Sequence, residues 1–258
     1  MKIKIQNYAD AAALFLLVFQ VQPSWCASFS LNPAQDAFVT SGPSGDLANS
    51  NYGAAGALSV AAPGLPNGEF QSVLRFGLSG AKNAFDAQYG AGQWSVQSVT
   101  LQLTTAFPKN LIFNASAAGQ FGVSLMLNNS WTEGTGTPLA PTSTGITFST
   151  LPSFESALDE AVGTFSYDGS INGASTYALT LSPTLSADIL TGGTMSLRMF
   201  AKDNSISYLM FGEKFGTVSS RPLLTINASA EPIPEPSTRA LGLVGLLVFG
   251  WSRVRGNS

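Results

Sequence analysis

The chain has 258 residues, a net charge of −3, one cysteine and no histidine. The missing histidine excludes Ser-His-Asp and Cys-His catalysis, histidine-ligated zinc or iron, and the usual proton shuttle. Between residues 28 and 230, seven Lys and Arg stand against twelve Asp and Glu, a net of −5 that argues against nucleic acid or an anionic membrane as partner.

At the start, Lys2 and Lys4 precede an apolar stretch over 11–19, followed by Gln20, Pro23 and small residues around Cys26 and Ala27. This is the layout of a secretory signal peptide, expected over 1–27, with the Sec machinery and signal peptidase as its partners. Cleavage after Cys26, Ala27 or Ser28 fits; a buried N-terminal helix is the competing reading. Pro23-Ser24-Trp25 ahead of Cys26 is no lipobox. With Cys26 at the boundary, the body has no disulfide framework, although export would permit one.

The body, 28–230, is long enough for one domain with a full core. Period-two alternation dominates it, and turn residues punctuate the alternation. Strands are expected over 36–41, 56–61, 70–78, 95–106, 119–127, 144–149, 161–167, 175–181, 194–202, 206–211 and 222–228. Met195, Leu197 and Met199 alternating with Thr194, Ser196 and Arg198 show the pattern. Two short helices are expected. Ser182 caps one, with Pro183 in its first turn, Gly192 and Gly193 after its end, and Leu185, Ile189 and Leu190 on its inner face. The other covers 153–159. Segments 81–93 and 128–144 read as irregular inserts. The fold class is therefore all-β: an antiparallel β-sandwich, of jelly-roll type given the long and irregular connections.

The chain ends on Pro234-Glu235-Pro236-Ser237-Thr238, an apolar run over 240–251, then Arg253 and Arg255. Pro232, Pro234 and Pro236 fix three φ angles and remove three donors, so this stretch is extended and unfit for a sheet or helix. As a helix the twelve-residue run would be about 18 Å long, against about 30 Å of hydrocarbon. It is a weak, temporary anchor, with Arg253 and Arg255 on the cytoplasmic side. In the order of its parts the segment 231–258 resembles the PEP-CTERM sorting signal. That resemblance implies an exosortase-type membrane enzyme as partner, a transient stay at the inner membrane, cleavage near Pro-Glu-Pro, and release to the cell surface or extracellular matrix. Arg239 and the sparse basic end depart from the usual pattern. A plain C-terminal anchor without processing is the alternative.

A second resemblance runs through the body. Asp36-Ala37-Phe38-Val39, Asn51-Tyr52-Gly53, Leu58-Ser59-Val60, Ser72-Val73-Leu74-Arg75-Phe76-Gly77, Ser130-Trp131-Thr132-Glu133 and Arg221-Pro222-Leu223-Leu224 occur in the order seen in the DNRLRE domain. That module is a secreted jelly roll found beside carbohydrate-active enzymes, and it implies polysaccharide as partner. Gly77 departs from it, standing where the family usually has Asp.

Four body residues are ligand candidates. Tyr52 stacks on a sugar or sits in a structured turn with Asn51 or Gly53 at positive φ. Arg75 pairs with Glu133 or Asp36, or contacts ligand. Trp131 plugs the core or offers a platform, and Trp94, in a long insert, is the better candidate for an exposed platform. Asp36 and Asp46 lie where a structural calcium would find carboxylates, although no EF-hand spacing is present. No other cofactor is expected. Nothing signals the facing carboxylates a glycosidase needs. The expected function is a non-catalytic, exported polysaccharide binder. A self-associating structural or adhesive matrix protein is the alternative, and a lyase or glycosidase ranks third.

Overall fold

The computed structural model describes residues 26–107, 112–113 and 115–230. Residues 1–25 of the signal peptide expected over 1–27, and the tail after 230, lie outside the described residues. Among the described residues no helix is long and apolar enough to cross a membrane.

Among the described residues, eleven strands and two α-helices follow in the order β1 (Cys26–Leu31), β2 (Gln35–Thr40), β3 (Ala57–Ala61), β4 (Phe70–Gly77), α1 (Ser79–Tyr89), β5 (Trp94–Thr104), β6 (Gly119–Met126), β7 (Glu160–Tyr167), β8 (Ala174–Leu179), α2 (Pro183–Thr191), β9 (Thr194–Ala201), β10 (Ser207–Phe211) and β11 (Leu223–Ala230). They form two antiparallel sheets. One has four strands in the order β1-β11-β5-β8. The other has seven, in the order β10-β3-β4-β9-β6-β7, with β2 also paired to β4.

The alternation explains the layering. In β5, Val96, Val99, Leu101 and Leu103 turn inward and meet Leu224 and Ile226 of β11. From the other sheet come Leu58, Leu74, Phe76, Phe121, Val123, Leu197 and Met199, all in the same buried cluster. Two sheets sharing one core make a sandwich. Apolar burial drives it at roughly 25 cal/mol per Å².

Three expectations fail. The segment 144–149 forms no strand and 153–159 no helix; only a short 3-10 turn, Leu151–Ser153, occurs there. Both lie in a loop that covers the outside of the larger sheet, where Ile146 and Leu151 pack on Trp131, Val73, Ala37 and Val39. Their apolar pattern is spent on that second core. The segment 81–93 is largely helix, because Ala81 and Phe85 bury one face of α1 and Lys82 pairs with Asp86 one turn on.

The other helix follows its punctuation. Ser182 Oγ accepts from Leu185 N at 3.1 Å, Pro183 opens α2, and Gly192 ends it at φ 70°. Leu185 and Ile189 are buried, but Leu190, expected inside, is 39 % exposed. One strand was not expected: β1 pairs with β11 from Cys26 opposite Ser229 to Leu31 opposite Leu224. It begins one residue before the expected end of the signal peptide at residue 27, and Cys26 is an exposed thiol at its start.

Candidate functional site

The ligand candidates of the body do not form a platform. Tyr52 is 1 % exposed and stacks on Phe38 with ring centroids 4.8 Å apart. Trp94 is the first residue of β5, 3 % exposed, against Phe85, and its Nε1 donates to Asp86 Oδ1 at 2.8 Å. Trp131 is fully buried and donates to Ser196 Oγ at 3.0 Å. Arg75 makes no ion pair with Glu133 or Asp36. It donates to Asn129 O at 2.7 Å and lies over the Trp131 ring at 4.5 Å. The three rings are buried in three different places: Trp131 under the loop over the larger sheet, Trp94 in the core between the sheets, and Tyr52 with Phe38 and Phe70.

The same sequence motifs instead build a buried polar hub. Asn51 is fully buried and uses its whole amide. Its Nδ2 donates to Glu133 O and Ile146 O, both at 2.7 Å, and its Oδ1 accepts from Gly53 N at 3.2 Å and Gly136 N at 3.1 Å. Glycine at 53 is required by close approach and not by φ: an added Cβ would stand 2.0 Å from Glu133 O. The described residues show no positive φ outside glycine, and Gly53 has none either.

Beside Asn51, Asp36 is 1 % exposed. Its backbone N–H donates to Glu133 Oε1 at 3.1 Å, and its Oδ2 accepts from Glu213 N at 2.5 Å. Glu133 pairs with Lys214 at 2.5 Å, and Lys214 Nζ also donates to Gly53 O at 3.1 Å. Burial pushes the Asp36 carboxyl up to about 7, against the pull of the Glu213 N–H, and Glu133 and Glu213 push it further up. Asp36 and Asp46 do not converge on a cation. Asp46 accepts from the Ser44 hydroxyl at 3.3 Å in its own loop. Among the described residues no group of three or more Asp, Glu, Cys or His is arranged to hold a metal.

The hub pins two loops, and between them opens a groove of about 400 Å³. One wall is Thr137, Pro138 and Leu139. The other is Phe211 and Phe215, stacked at 3.9 Å, with Phe107 at the rim. Ala55, Ala57 and Leu209 make the floor. Among the described residues the lining carries no charged side chain. Phe107 is 52 % and Leu139 82 % exposed. Sequence reading missed this site. Phe107 and the pair Phe211 and Phe215 lie on two segments about a hundred residues apart, and pairing brings them together: Ala106 N donates to Leu209 O at 2.9 Å, while Gly212 N donates to Gly56 O at 2.9 Å and adds the floor.

The described chain is thus a β-rich body of two antiparallel sheets. It is followed, one residue after β11, by a segment of a different kind: residues 232–255 match the PEP-CTERM protein-sorting motif. Pro234, Glu235, Pro236, Ser237, Thr238, Arg253 and Arg255 fall inside that match and outside the described residues. The motif marks an exported protein that an exosortase recognises and processes in a membrane-associated step at its C-terminal end. No curated protein matches the chain.

Proposed function

We propose that the exported, exosortase-processed body is a non-catalytic polysaccharide-binding module of the cell surface or extracellular matrix, and that it binds through the Phe107–Phe211–Phe215 groove. The observation that carries this reading is the groove itself: open, lined by phenyl rings and aliphatic groups, and without charge. Sugar rings present apolar C–H faces to such rings. The described lining holds no cation to offset an anion's desolvation, which favours a neutral polymer over a polyanion. The jelly-roll connectivity and the likeness to the DNRLRE module belong to the same proposal. The absence of histidine from the sequence supports the non-catalytic reading.

Affinity electrophoresis of the protein recovered from surface and medium tests it. Retention by a neutral polysaccharide, weakened by Phe107→Ala and Phe215→Ala, is the expected result. No retention across neutral and acidic polysaccharides overturns it. Concentration-dependent assembly abolished by the same variants would instead establish the adhesive, self-associating alternative. The mass of the recovered protein checks processing: everything after the Pro234-Glu235-Pro236 region should be missing.

A further inference from the structure

The sorting tail leaves the body from a strand that is held on both sides. β11 lies inside the four-stranded sheet, between β1 and β5. Ser229 stands opposite Cys26 on one side and Ser95 on the other, and Ala230 stands opposite Trp94. Tyr89, at the end of α1, donates to Ala228 O at 3.0 Å, and Phe29 of β1 meets Phe85 of α1 edge-on with centroids 6.4 Å apart. Peeling the last residues of β11 would break two ladders at once, so the root of the tail is fixed.

Reach then decides what the processing enzyme meets. The sorting motif begins at residue 232. Pro234 and Pro236 lie four and six residues beyond Ala230, which span at most about 14 and 22 Å. A body of about 200 residues is about 40 Å across. A tether shorter than the width of the body cannot hold it clear of an enzyme that works on the Pro-Glu-Pro region. The charge of the surface around Ala230 suits such a contact. Ala87 and Gln88 in the last turn of α1, and Ala91 and Gln93 in the turn before β5, are exposed and uncharged. Lys82 and Asp86, further back on α1, pair with each other, and Asp86 also accepts from Trp94 Nε1. The net charge of −5 is carried elsewhere, with Asp36, Glu133 and Glu213 gathered at the hub. β5 runs about 35 Å from Trp94 to Thr104, and Phe107 of the groove follows its far end.

We propose that the end of the sandwich formed by Cys26, the last turn of α1 and the 90–93 turn is a docking surface for the exosortase, held against the enzyme while the tail is cut, with the groove at the opposite end facing away. The inference rests on the processing of the tail and is independent of the polysaccharide reading. An unpaired charge brought into a protein contact loses its water without compensation, so a neutral patch on an acidic body is what this contact requires.

The test is a pulse-chase of the full chain in the cells that produce it, following conversion of the tail-bearing form to the shorter released one. Gln88→Glu with Gln93→Glu, and separately Gln88→Lys with Gln93→Lys, should each slow conversion about tenfold, while these surface changes leave the melting temperature of the body as it was. Thr217→Glu with Ser219→Glu, exposed before the first residue of β11, should convert at the wild-type rate. Eight Gly and Ser residues inserted after Ala230 extend the reach to Pro236 to about 50 Å, more than the width of the body. They should return the slowed variants to the wild-type rate. Wild-type conversion in both Gln88 and Gln93 pairs overturns the docking surface, and so does a slowing that the spacer leaves in place. Slowing by Glu matched by acceleration by Lys reports the charge of a lipid surface instead, and also overturns it. A wild-type chain that is never shortened removes the processing and this inference together, and leaves the polysaccharide reading to its own test.

Discussion

The outer faces of the two sheets begin from the same alternating pattern and end in opposite conditions. On the four-stranded sheet the outward residues stay at the surface: Ser30, Thr225 and Thr100 lie in one cross-strand row, and Asn227 and Ser98 in the next. They bond to one another, Ser30 Oγ to Thr225 Oγ1 and Asn227 Nδ2 to Ser98 Oγ at 2.8 Å each. On the seven-stranded sheet the outward residues of β2 and β4 are covered by the loop after β6, which brings Trp131, Ile146 and Leu151 down on Ala37, Val39 and Val73. Polar outward residues leave a face bare. Apolar ones, Ala37, Val39 and Val73, demand a cover, and the cover has to be fastened by buried polar groups because its own backbone is irregular. The hub around Asn51 and Asp36 is that fastening, and the groove is what it leaves between the fastened loops.

The sharpest way to break the contrast is to remove the plug. Trp131→Ala deletes a fully buried ring, a hydrogen bond to Ser196 and the seat of Arg75; it should cost about 3–5 kcal/mol, measured by denaturant unfolding. Asn51→Ala strands two carbonyls, that of Ile146 buried and that of Glu133 partly so, and two buried N–H groups at once. A loss of about 3 kcal/mol is expected in the same measurement, along with proteolytic nicking in 134–144, which Asn51 ties down. Wild-type nicking there at the same rate would mean that Asn51 is not the fastening.

A pH series sharpens the comparison further. The folded-state pKa of Asp36 is raised to about 7 by burial, above the ordinary unfolded value of about 3.9. Its contribution to stability is therefore fully present below about pH 4 and is lost as pH rises through about 7. The melting temperature should fall across that window, and Asp36→Asn should flatten the fall. The smallest effect belongs to the bare face. Thr100→Val, on the outside of β5, should change stability by no more than about 0.5 kcal/mol. A larger change would show that the hydroxyl ladder there is itself structural.

Much of the framework was legible. Ten of the eleven described strands stand where the period-two reading placed them; in β5 and β11 one face is buried, whereas β2, β3, β4 and β10 are buried on both. The escaped strand, β1, lies where the reading was occupied by a cleavage signal, and its partner β11 is at the far end of the chain. Helix α2 announced itself by Ser182, Pro183 and Gly192. Helix α1 did not, because its buried stripe is only Ala81 and Phe85 and its Leu78 N-cap gives no side-chain hydrogen bond. The site was legible in its pieces. Asp36, Asn51, Gly53, Arg75, Trp131 and Glu133 were all singled out, but as turns and ligand contacts, whereas they form the buried fastening under the loop.

The sequence by itself determined the β class, most strand positions, the absence of histidine chemistry and the sorting tail, since each depends on local order: a period of two, a composition, a short linear motif. Only the tertiary structure decided which rings reach solvent. Tyr52, Trp94 and Trp131 are buried while Phe107 and Phe215 stand at a groove, because exposure depends on which distant segments close over a side chain. It also decided that Asp36 would face Glu213 across 177 residues of chain and that burial would push its carboxyl up to about 7. That pairing, like the groove above it, arises from long-range packing that no local pattern records.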